Sequence, residues 1–133
     1  MYLHDEKEGK IVLDFFPPKT QSDSNQPAKV VLILHGVTGK SEDDYVLEMV
    51  GKASERGYNC VVMNHYAPPG EKDLRLMDFT QNKHLDEVVK HVADKFSSAL
   101  PCELFMVGFS LGGNFALRWL GSSSKDSIES AED

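Results

Sequence analysis

The sequence predicts an α/β fold in three layers, a parallel sheet with helices on both faces, preceded by a β-hairpin. Three observations predict it. KVVLILHG at 29–36, YNCVVMN at 58–64 and ELFMVG at 103–108 are continuous apolar runs without alternation, which suits strands covered on both faces. Each is followed by a stretch that reads as helix. The resulting order, strand then helix three times over, is what a parallel sheet with crossover helices requires.

The elements follow in order. Tyr2 and Leu3, the charged DEKEG turn and KIVLDFF at 10–16 read as a β-hairpin with Gly9 in the turn. PPKTQSDSNQP at 17–27 has prolines at both ends and polar residues between, a surface loop. After the first buried run, a helix is predicted at 42–56, with Val46, Met49, Val50 and Ala53 at i, i+3, i+4 and i+7. Ser41 with Asp44 resembles a capping pair, and Gly57 suits the residue just past the helix end. APPGEKD at 67–73 is a loop. The second helix covers 82–97, with Leu85, Val88, Val89, Val92 and Phe96 on one face. The third begins after Ser110 and presents Phe115, Ala116, Trp119 and Leu120. The domain therefore spans 1–121, and the serine-rich, acidic residues 122–133 are predicted to be a disordered tail.

The chain has 133 residues, 41% of them hydrophobic, enough for one domain with its own core. A formal net charge of −7 argues against nucleic acid or an anionic membrane as partner, since both require basic patches. Cys60 and Cys102 lie in or beside apolar runs and read as buried free thiols. No secretory segment opens the chain and no run reaches the roughly 20 apolar residues of a membrane span. A cytoplasmic location is the default.

Chemistry concentrates in two places. VGFSLGGN at 107–114 puts Ser110 between Gly108 and Gly112, after a buried strand and before a helix. That setting exposes a serine hydroxyl at the C-terminal edge of a sheet, on a tight turn that the glycines permit. HGVTG at 35–39 follows the first buried strand, so it reaches the same edge. An oxyanion hole requires one N–H from the residue after the nucleophile and one from such a loop. Leu111 and Val37 are the natural donors. His35 and Gly36 shape the loop; His35, at a strand end before glycine, serves loop geometry more readily than it serves as base.

Other chemistries fit less well. HGVTGKS has the order of a phosphate-binding loop, but Leu34 stands where that pattern requires glycine. His84 and His91 lie seven apart without a cysteine or carboxylate cluster at ligand spacing, so no metal is implied. His65 follows a strand end and could line the site, although a loop residue is the commoner case. No carboxylate stands out as a triad acid.

HGVTGKSEDDY, ERGYNCVVMNH and VGFSLGGN, in this order, resemble the α/β-hydrolase superfamily and, within it, the YheT-like branch of esterases and lipases. The resemblance covers roughly residues 9–121. One departure is Tyr66-Ala67 before Pro68-Pro69, where the family commonly has Arg-Gly. The resemblance implies a partial α/β-hydrolase fold lacking its C-terminal strands. It also implies Ser110 as nucleophile, the N–H groups of Val37 and Leu111 as oxyanion donors, and a small ester or lipid as substrate, with no cofactor. The triad Asp and His are expected downstream of the elbow, and no residue here matches either. A serine hydrolase that is weak or inactive as this chain alone is therefore expected. The other reading is a non-catalytic remnant acting as a binding module. ELFMVG would then be an apolar sheet edge that invites self-association.

Overall fold

The computed structural model describes residues 2–5, 9–20, 23, 25–64 and 83–129; for 2–5, 9, 10, 83 and 123–129 the description covers the backbone. The hairpin is β1 (Tyr2–Asp5) and β2 (Gly9–Phe16). It is followed by β3 (Lys29–Leu34), α1 (Asp44–Glu55), β4 (Asn59–Asn64), α2 (Lys83–Phe96), β5 (Glu103–Gly108) and α3 (Leu111–Glu129). The predicted loop at 67–73 and His65 lie outside the described residues, as does the centre of the hairpin turn.

One five-stranded sheet has the order β1-β2-β4-β3-β5. β3 runs parallel to both β4 and β5, while β2 pairs antiparallel with β4. Strand continuity in the sequence is thus explained by position. β3 sits between two parallel neighbours, and every residue from Val30 to Leu34 is buried. Its side chains still alternate between two cores. Val30, Leu32 and Leu34 pack with Leu85, Val88 and Val92 of α2 and with Phe115, Ala116 and Trp119 of α3. Val31 and Ile33 pack with Val46, Val50 and Ala53 of α1 on the opposite face. Burying one such aliphatic side chain stabilises the fold by roughly 1.5–3 kcal/mol. Burial raises the Cys60 thiol above its ordinary value, and Cys60 and Cys102 are both free, the second only half-buried.

α1 ends as predicted. Gly57 has φ +83°, its N–H donates to Ser54 O, and the Tyr58 N–H reaches back to Ala53 O. This is the paired bond pattern of a glycine-terminated helix. The start differs. The N-cap is Asp43, with no side-chain capping bond; its carboxylate accepts from the Lys40 N–H instead. Ser41 does not cap, because its hydroxyl donates to Asp14.

α3 packs by one face and extends beyond its packed turns. Leu120 is 54% exposed, because it lies one residue round from Trp119 and so off the packed face. Trp119 Nε1 donates to Asp86 on α2, which sets that face. The helix also continues to Glu129, through residues that composition assigned to a disordered tail. Its N-terminal turns are packed, and propagation from a packed nucleus adds one bond per residue fixed. β5 pairs on one side with β3, and Phe105 is 46% exposed on it.

Candidate active site

Gly108 ends β5 opposite Leu34, the last residue of β3. The Phe109 N–H then donates to Leu34 O at 2.9 Å, extending the ladder by one bond. Gly112 N–H closes the bend onto Phe109 O at 2.9 Å, and Asn114 N–H to Ser110 O begins α3. Ser110, held at the apex, has φ +52° and is the one non-glycine residue with positive φ among the described residues. Its side chain is exposed.

A left-handed conformation crowds Cβ against the following carbonyl, at a cost of roughly 1–2 kcal/mol for an L-residue. Ser110→Gly is therefore expected to raise stability. The gain is limited to about 0.5–1 kcal/mol, because glycine also loosens the unfolded chain. Urea denaturation checks this; a less stable glycine variant would mean that the bend carries no strain.

The two glycines of the motif are steric requirements of the bend. A Cβ on Gly112 would lie 2.1 Å from Leu34 O and 2.8 Å from His35 O. One on Gly108 would lie 2.5 Å from the carbonyl carbon and oxygen of Gly112. The first turn of α3 therefore rests directly on the backbone at the end of β3.

That contact brings the loop after β3 beside the bend. A Cβ on Gly36 would lie 3.7 Å from Ser110 Cβ and 3.8 Å from Phe109 O. The loop itself is a tight turn closed by Gly39 N–H to Gly36 O at 3.1 Å. His35 is buried, and its Nδ1 lies 2.8 Å from Gly36 O. A carbonyl can only accept, so Nδ1 carries the proton. The peptide unit is planar and trans. Holding the Gly36 carbonyl from two sides therefore fixes the direction of the Val37 N–H in the same plane. Val37 is the second residue of the turn, whose closing bond does not use its N–H. Leu111 is the first residue of α3, so its N–H has no intrahelical acceptor and sits at the positive end of the helix dipole.

A polar network missed by sequence reasoning anchors the far end of this loop. Ser41 N–H donates to Asn64 Oδ1 at 2.9 Å, and Asn64 Nδ2 donates to Asp14 Oδ2 at 2.7 Å. Ser41 Oγ donates to the same Asp14 oxygen. The signal was present: an aspartate inside the otherwise apolar strand KIVLDFF requires partners. Among the described residues, no group of three or more His, Cys, Asp or Glu could hold a metal. No helix among them is long and apolar enough to cross a membrane.

The sequence is 34% identical over 119 residues to Phospholipase ABHD3 of Homo sapiens, a match covering 85% of this chain. The chain belongs to the α/β-hydrolase superfamily. This α/β-hydrolase chain spans only 28% of the length of that relative. It is also 38% identical over 96 residues to embryogenesis-associated protein EMB8 of Picea glauca, covering 69% of this chain and 20% of that protein. Est1E from Butyrivibrio proteoclasticus shares the fold, with a TM-score of 0.67 at 21% identity, covering 92% of this chain and 45% of that one. No protein-family model matches.

Proposed function

We propose that this chain is the nucleophile-bearing part of a serine hydrolase that cleaves carboxylic esters, within the YheT-like branch. The observation that carries the reading is the bend at Ser110. A strained, exposed serine heads a helix, with the glycine loop after β3 at its side. Ser110 Oγ attacks the ester carbonyl carbon while a base takes its proton. The charge that develops on the carbonyl oxygen is met by the N–H groups of Val37 and Leu111. The alcohol leaves with a proton, and water then cleaves the acyl–serine bond. A relative named as a phospholipase favours an ester-bearing lipid as the substrate class.

His35 does not serve as the base on this reading, because it is buried and committed to Gly36 O. Base and acid come from the further sequence that the longer relatives carry. Loss of triad members costs about 10⁴–10⁶-fold in turnover, leaving oxyanion and binding effects, so the chain alone is a slow esterase at most.

The test uses a fluorophosphonate probe and a p-nitrophenyl ester. The wild-type chain should label slowly at one serine, and Ser110→Ala should abolish labelling. Adding a segment that supplies the Asp and His should raise turnover by several orders of magnitude. A folded complex that stays inert, or labelling that survives Ser110→Ala, would remove Ser110 from the mechanism.

A further inference from the structure

Tyr45, in the first turn of α1, reaches back into the loop between β3 and α1. The Gly36 N–H donates to its hydroxyl oxygen at 3.3 Å. A Cβ on Gly39 would lie 2.6 Å from that same oxygen, so the loop closes around it. The ring meets Phe109 edge to face, with centroids 4.9 Å apart at 68°. Phe109 is the residue before Ser110. One side chain thus touches both motifs, the glycine loop through its hydroxyl and the bend through its ring.

Gly36 is held at both of its peptide units. Its N–H is held by Tyr45, and its carbonyl by His35 Nδ1 and by the Gly39 N–H. The Val37 N–H shares the second of those planes and moves with it. Nothing in the helix requires a tyrosine hydroxyl there, since the apolar face of α1 is formed by Val46, Val50 and Ala53.

We propose that Tyr45 is a positioning residue that sets the distance and angle between the Val37 amide and Ser110. This rests on the hydrolase reading above. It assigns Tyr45 no contact with the reacting atoms. The hydroxyl orients the loop, and the ring ties the loop to the bend.

Tyr45→Phe separates the two, removing the hydroxyl and keeping the ring. The test uses the full chain with three measurements: amide resonances of Gly36, Val37 and Gly39, the rate of fluorophosphonate labelling at Ser110, and the melting temperature. The expected result is a shift of those amide resonances and a labelling rate lowered about tenfold, with melting essentially unchanged. Outright loss of an oxyanion donor costs about 10²–10³-fold, and a misdirected donor costs less. Unchanged amide resonances overturn the proposal. So does an unchanged labelling rate, or a slower rate accompanied by a large drop in melting temperature, which marks general destabilisation. If the wild-type chain does not label at all, the hydrolase reading of this chain alone fails, and the amide resonances still decide whether Tyr45 orients the loop.

Discussion

Gly112→Ala is expected to destabilise the chain by about 3 kcal/mol or more, and Gly51→Ala to stabilise it by about 0.5–1 kcal/mol. Both glycines lie in helices, so helix propensity alone predicts a gain at both. Their surroundings reverse the first. A Cβ at Gly112 would sit 2.1 Å from Leu34 O and 2.6 Å from the carbonyl carbon it belongs to. Those are backbone atoms of a buried strand paired on both sides, so they cannot yield as a flexible side chain would. The helix must lift off β3, and the bend that presents Ser110 opens with it. At Gly51 nothing lies within 4 Å of the added Cβ. Thermal melts of the two variants side by side measure the difference. A Gly112→Ala protein as stable as Gly51→Ala would mean that α3 does not seat on β3.

Much of this was legible in the sequence, for identifiable reasons. The apolar runs around Leu32 and Val62 mark parallel strands because a strand with neighbours on both faces cannot alternate; the run around Met106 is also parallel to β3, although Phe105 on it is exposed. The five-residue motif around Ser110 was legible because its glycines answer to sterics within a few positions along the chain. What stayed hidden depends on distant partners. Ser41 with Asp44 reads locally as a capping pair at the start of α1. Only the fold decides that Ser41 bonds Asp14, 27 residues away, and leaves Asp43 at the N-cap. The role of Tyr45 is hidden for the same reason, since its partners Gly36 and Phe109 follow the ends of two different strands. At α3, Phe115 and Trp119 lie on the packed face and Leu120 does not. The bond from Trp119 to Asp86 fixes the helix rotation and turns Leu120 outward.

Asp14→Ala is expected to destabilise the chain by about 2–3 kcal/mol and to slow labelling at Ser110 as well. The stability term follows from the donors it abandons. Ser41 and Asn64 are 8% and 9% exposed, and both direct a hydrogen at one Asp14 oxygen. A buried donor left without its acceptor costs about 1–3 kcal/mol, partly recovered here because Asp14 is itself only half-buried. An exposed ion pair makes the contrast. Glu48 and Lys52 are bonded at i and i+4 with about two thirds of each side chain exposed, and solvent screening leaves such a pair little to contribute. The effect on Ser110 follows from geometry. Asn64 closes β4 at the same sheet edge as the bend, and its amide oxygen holds the Ser41 N–H at the end of the loop that carries Val37. Releasing Asn64 frees that loop at one end while Tyr45 and His35 still hold the other. A double-mutant cycle between Asp14→Ala and Asn64→Ala should show a coupling of at least about 1 kcal/mol, because the two share one network. Additive effects would mean that each residue acts alone, and that the loop is positioned from the His35–Gly36 end.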